Sequence, residues 1–322
     1  MTFLLTSCDV SVFGRNHNSE TKESTSETDK NTSSDVNHDS ASGSDDATSG
    51  GDTTSSGGTT SGGDSSSDTT SGGGQGGGSG GQEDDGYYAS IGSNLTGDAL
   101  LSALRTLNKN KRTSTVGYSA MGTSPSGQFK YTDYDPSTVQ YDSNGQPYGT
   151  KIISFYSGNS TTSFNREHVW PDSHGGNLVE KDIHMPRPTI ASENGSRGNS
   201  FYVEGMCDQS NGWDPAEEDF GDATYRGDSA RIIFYCVVAS SDLSLIEATY
   251  HATSKKNRDN LMGKLSDMLS WNERYPVMDR EQRRNDGAEY LQGNRNPFID
   301  HPEYACKIWG NTNDATRQAC GL

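Results

Sequence analysis

Apolar residues are scarce between about Cys8 and Asp85 and recur at regular spacing after Tyr87. Leu100, Leu101, Leu104 and Leu107 share one helical face, with Thr96 at the N-cap position, so a core helix is predicted there. Residues 152–156 (Ile-Ile-Ser-Phe-Tyr) form a short apolar run of strand length. Residues 163–170 mix aromatic, β-branched and polar side chains and stop at Pro171, which predicts a strand. Residues 182–187 are the expected return strand, and Pro188 suits the first position of a helix. Residues 226–239 are apolar around Ile232, Ile233, Tyr235, Cys236 and Val237, a pattern that a strand would accommodate. Residues 257–272 place Leu261, Leu265, Met268 and Leu269 on one helical face ahead of Pro276, and residues 280–291 predict another helix.

The predicted strand, return strand and helix at residues 163–199 carry Glu167, His168 and Asn194 together with several cations. Hydrolysis of a phosphodiester needs the phosphate charge neutralised, a water deprotonated and the departing oxygen stabilised. A carboxylate plus a carboxamide is an oxygen-only ligand set suited to a hard ion such as magnesium, which keeps several of its own waters. Glu167 and Asn194 fit that set. A neutral imidazole titrating near pH 7 can take a proton from water, the role His168 fits. One difficulty is geometric, because neighbouring strand residues point to opposite faces. It is resolved if Glu167 approaches the ion from one side while His168, at the strand's end, addresses water or phosphate.

The run Asn165-Arg166-Glu167-His168-Val169-Trp170-Pro171 resembles the signature of the bacterial endonuclease I family, secreted or periplasmic nucleases with a ββα-metal active site. Three further blocks resemble that family in the same order: residues 182–199, 226–235 and 292–302. The resemblance implies an α+β domain with a ββα-metal finger embedded in a mainly helical body, and residues 226–239 as a buried helix. It implies His168 as general base, Glu167 and Asn194 as ligands of one divalent ion (Mg2+ first, Ca2+ or Mn2+ next), and sequence-tolerant cleavage of DNA, and often RNA, to 5′-phosphates. Some members hold the cleaved phosphate with an arginine in a long loop between the strands. Here that loop is short and offers only Lys181, so Arg187 and Arg197, with Arg226 and Arg295 from the later blocks, are the candidate substrate-binding cations. Met185-Pro186 stands where many members have Asn, which predicts a distorted second strand.

Composition divides the chain. Residues 9–85 are rich in Ser, Thr, Gly and Asp and cannot bury enough surface to offset their ordering entropy, so a disordered linker is expected before a catalytic domain at residues 86–322. The net charge of −18 looks adverse for a nucleic-acid enzyme, but up to Asp85 there are 15 acidic residues against 3 basic ones, about two thirds of the excess. Basic residues cluster at Arg187, Arg197, Arg226 and Arg231 and again at Arg280, Arg283, Arg284 and Arg295, the second group being either a solvated face or a DNA-facing edge. Leu5-Thr6-Ser7-Cys8 resembles the lipobox of bacterial lipoproteins. Residues 1–8 are therefore expected to be the remnant of a signal, with a lipid on Cys8 as the membrane attachment of an extracellular or cell-surface monomer. Of the other four cysteines, Cys306 and Cys320 are the preferred bridge and Cys236 a free core thiol. Asp133 and Asp135 lack the rest of a calcium loop and are expected in a turn. His184, between Ile183 and Met185, is expected to be a buried, hydrogen-bonded histidine. The competing functional class is a surface-tethered binding or adhesion module on an inactive nuclease fold.

Overall fold

The computed structural model describes residues 86–208, 211–216, 222–249 and 259–322; the expected signal remnant, lipid-bearing cysteine and linker lie outside them. In chain order the elements are α1 (Gly97–Lys111), α2 (Tyr118–Met121), α3 (Phe129–Thr132), β1 (Val139–Tyr141), β2 (Pro147–Gly149), β3 (Ile152–Ile153), β4 (Ser160–Thr161), β5 (Asn165–His168), β6 (Pro186–Thr189) and α4 (Ala191–Arg197). They continue with β7 (Cys207–Asp208), β8 (Gly212–Trp213), α5 (Tyr225–Ala239), β9 (Ser244–Leu245), β10 (Leu261–Met262), α6 (Leu265–Arg274), α7 (Asp279–Gln292), α8 (Pro297–Asp300), α9 (Tyr304–Trp309) and α10 (Asp314–Ala319). The fold is mixed α+β, with the strands paired in two-stranded ribbons.

Helix α5 is the spine. Tyr225 and residues 227–238 are buried all round, which is why a single apolar face could not be read from its sequence. It packs against α1, α6 and α8. Arg231 sits fully buried in the middle of α5, its Nε and Nη2 donating to the two oxygens of Glu281 at 2.6 and 2.7 Å. Such a pair is costly to desolvate and more costly to break, so it ties α7 to the spine. The α1 leucines are buried as their spacing predicts, although the Thr96 hydroxyl makes no cap hydrogen bond. Cys306 and Cys320 are bridged, and Cys236 is free and buried.

Three elements depart from the sequence pattern. The return strand runs over Pro186–Thr189 rather than residues 182–187, with Pro188 inside it instead of opening α4. The backbone explains this: the Pro188 carbonyl accepts from Phe155 N and the Pro186 carbonyl from Arg284, so both prolines turn their missing N–H away from β5. Arg187 and Thr189 are left to pair with Glu167 and Asn165. The expected strand at 152–156 stops at Ile153, because the chain turns through Tyr156 at φ 80°. The helix expected from 257 begins at Leu265; Leu261 and Met262 pair instead with β9.

Asp133 joins Arg187 and Arg284 under the β5–β6 ribbon. A second buried polar network fills the space between α1, α5 and the loop before β6. Tyr235 Oη donates to Asp182 at 2.6 Å, Asn294 bonds Asn108 and Tyr235, and Gln292 donates to Asp182 at 2.7 Å. His184 closes this network through Nε2, 3.0 Å from the Asn294 carbonyl, and burial pushes its imidazole down to about 4. The unfolded chain takes a proton on His184 near pH 6.5, while the folded chain refuses it until about pH 4. This contribution to stability is therefore present above pH 6.5 and lost as pH falls from there towards 4. Between pH 7 and 4 the wild type is expected to lose about 3 kcal/mol more than His184→Gln in urea unfolding. Equal losses in both proteins would contradict this.

Candidate active site

Strand β5 presents alternate residues to two faces. Glu167 points inward and is 1% exposed, while Arg166 and His168 point the other way and remain half-buried. The left-handed turn at Tyr156 aims its phenol at Glu167: Oη donates to Glu167 Oε1 at 2.9 Å and lies 2.7 Å from Tyr202 Oη. Arg197 Nε stands 3.6 Å from the same carboxylate oxygen. Burial pushes the Glu167 carboxyl up, and the Arg197 guanidinium and the Tyr156 hydroxyl pull it back. Oε2 has no hydrogen-bond partner among the described residues.

His168 ends β5 on the opposite face. Its Nδ1 lies 3.4 Å from Tyr118 Oη, and the Arg166 guanidinium stacks 4.0 Å from the Tyr118 ring centroid. Nε2 is buried with no hydrogen-bond partner; Glu180 Oε2 is 4.0 Å away. Burial lowers the His168 pKa, with Asp172 and Glu180 opposing, so the ring is neutral at pH 7. With the Tyr118 oxygen accepting from Nδ1–H, the lone pair of Nε2 is left free, the tautomer a base requires.

Helix α4 is fastened to this ribbon at both ends. In its first turn Glu193, fully buried, accepts from Ser154 and Thr189, both at 2.7 Å. In its last turn Arg197 donates to the Val169 carbonyl at 2.8 Å and to the His168 carbonyl at 3.4 Å. Asn194 lies between these anchors, at the end of the first turn. Its carboxamide is half-buried and has no hydrogen-bond partner among the described residues. Glu167 on β5 and Asn194 on α4 sit on elements that Arg197 ties together, and a carboxylate with a carboxamide is the kind of oxygen donor set that a hard divalent ion takes. Among the described residues no three His, Cys, Asp or Glu side chains cluster as a soft-ion site would require.

The candidate cations divide. Arg197 is at the site but buried, braced by Glu167 and the Tyr202 ring. Arg187 is bound to Asp133 at 2.8 Å and lies over Phe155, Arg226 is held by Asp214 at 2.6 and 2.8 Å, and Arg295 is held by Asp300, Asp286 and Glu289. The half-exposed guanidinium on the His168 face belongs to Arg166, which the sequence reading passed over although it lies in the quoted run. Tyr118 and Tyr156 were also missed; neither belongs to a local pattern, and only the fold brings them to β5. His174 Nε2 lies 2.9 Å from the Asn199 carbonyl.

Residues 96–303 match the family model for endonuclease I. The chain belongs to the endonuclease I family. Two curated relatives are both named extracellular ribonuclease: one from Bacillus amyloliquefaciens, 38% identical over 172 residues, and one from Bacillus subtilis (strain 168), 36% identical over 172 residues. In each case the match covers 47% of this chain and 56% of the relative, so the chain spans about half the length of the curated relatives it matches. The endonuclease I match takes in α1 through α8 and therefore every residue of the β5–β6–α4 site.

Proposed function

We propose that the chain is a secreted, metal-dependent, sequence-tolerant endonuclease that hydrolyses RNA and DNA to 5′-phosphate products through a ββα-metal site. The observation that carries the reading is the buried Nε2 of His168, with no hydrogen-bond partner among the described residues, one residue from the buried Glu167 carboxylate. His168 Nε2 takes the proton of a water as that water attacks phosphorus in line with the departing 3′ oxygen. Tyr118 holds the ring in the basic tautomer, and Arg166 offers its guanidinium to the phosphate on the same face. Glu167 and Asn194 hold one divalent ion, Mg2+ by preference, which supplies positive charge to the oxygens that become more negative in the transition state. Tyr156 and Arg197 fix the Glu167 carboxylate.

The relatives' printed names support RNA as a substrate and an extracellular location. The Cys306–Cys320 bridge suits an oxidising compartment. A lipid on Cys8 and a monomeric state belong to the same proposal. Incubating supercoiled plasmid and a structured RNA with the full chain should degrade both in Mg2+ and neither in EDTA. Intact substrates in Mg2+, Ca2+ and Mn2+ alike would defeat the reading in favour of a binding module on an inactive fold.

A further inference from the structure

We propose that the cleft between the β3–β4 turn and the start of α7 binds a phosphate group of the substrate strand beside the cut, with Arg283 as its principal cation. This rests on the nuclease reading above. The cleft encloses about 510 Å³, and its walls include Gly158, Tyr225, Met278, Arg280 and Arg283. A small neighbouring cavity of about 10 Å³, room for one phosphate oxygen or one water, shares Ile153, Arg280 and Arg283 with this cleft and is also lined by Arg187.

Arg187 is the observation that points to a ligand. Its side chain is 6% exposed and lines the small cavity, Nε is spent on Asp133, and Nη1 is buried with no hydrogen-bond partner among the described residues. Leaving a charged donor unmade in a protein interior costs more than the bond itself is worth, so an acceptor is owed there. The other two arginines differ in availability. Arg280 donates to Asp228 at 2.8 and 3.1 Å and stacks 4.0 Å from the Tyr225 ring, so it lends a diluted charge. Arg283 forms no ion pair among the described residues and rests 5.9 Å from the Tyr134 ring.

The position relative to the ion-binding ribbon follows from register. Arg187 is the cross-strand partner of Glu167, and directly opposed side chains leave an antiparallel ribbon on the same face. The Glu167 carboxylate and the arginine that lines the small cavity therefore share one face of the ribbon. Ser157 and Gly158, in the cleft wall, follow directly on Tyr156, whose hydroxyl holds Glu167. The cleft is thus approached from the Glu167 face of the ribbon, where the proposed ion would sit, and a strand engaged there can place a further phosphate against Arg283. The two carboxylates in the wall, Asp222 and Asp279, select among anions: they repel a free phosphate dianion more strongly than a singly charged diester.

The test is fluorescence anisotropy of a labelled single-stranded RNA oligonucleotide with the full chain in EDTA, where no turnover occurs. Arg283→Glu should weaken binding about 10-fold and lower the slope of log K against log salt by about one, while Arg283→Lys keeps most of the affinity. If Arg283→Glu binds with wild-type affinity and slope, the site is overturned. A parallel titration with inorganic phosphate, read by melting temperature, separates the sources. An Arg283-dependent rise with phosphate and no effect on the oligonucleotide would overturn the strand assignment in favour of a free anion. Hydrolysis in Mg2+ by a wild type whose RNA affinity Arg283→Glu leaves unchanged would sink this site alone; a wild type that neither binds nor cleaves would sink the nuclease reading.

Discussion

His168→Ala is expected to lower kcat for plasmid and RNA about 10³-fold while leaving divalent-ion binding and the unfolding midpoint close to wild type. The magnitude is that of a general base within reach of its water. Tyr118 does not replace it: it is a phenol whose pKa burial raises although Arg166 lowers it, so it is a poor base at neutral pH. The ring is half-buried and contributes no core contact that α5 or α4 depends on, so the loss should be one of chemistry. The same side chain sets the acid limb of the pH–rate profile. A base works when neutral, and burial lowers the His168 pKa, so kcat should hold below pH 6.5 before it falls. Plasmid nicking followed at saturating substrate from pH 5 to 8 reads both effects. Wild-type turnover by His168→Ala would remove His168 from the reaction.

Glu167→Gln is expected to cost about as much, on the order of 10³-fold, by a different route. The glutamine keeps the volume and can still meet Tyr156 Oη, so Arg197 loses a charge partner without a cavity opening beside it. Glu167→Ala would leave Arg197 buried and unpaired, and breaking a buried pair in that way costs roughly 3–5 kcal/mol, which would confuse folding with catalysis. On the proposed ligand set, glutamine would remove the one anionic ligand of the divalent ion. Calorimetric Mn2+ affinity should fall along with kcat, and raising the metal concentration should restore part of the rate. Asn194→Ala should behave alike but more mildly, because a neutral ligand is lost. Unchanged Mn2+ affinity in Glu167→Gln would place the ion elsewhere.

Much of this was legible along the chain, and the parts that were not have physical causes. Helix α1 shows one apolar face, and β5 lies within the predicted 163–170 although it spans only Asn165–His168. The return strand was misplaced because prolines read as breakers unless the hydrogen-bonding side of the strand is known; here both turn their missing donors outward. Helix α5 has no polar face to give its period away. The candidate arginines could not be sorted from sequence, since their acidic partners lie far off in the chain: Asp133 holds Arg187, and Asp214 holds Arg226. Tyr118 stands 50 residues before His168, and no local spacing connects them. The alternation along β5, by contrast, was correctly anticipated as a difficulty, and the structure keeps it: Glu167 and His168 do occupy opposite faces.

The most direct measurement is the position of a bound ion. A crystal of the full chain soaked in Mn2+ and measured at the manganese absorption edge should show one anomalous peak contacted by Glu167 Oε2 and Asn194 Oδ1, with a coordinated water within hydrogen-bond reach of His168 Nε2. A map with its peak elsewhere, or with these two oxygens turned away from a common point, would contradict the account.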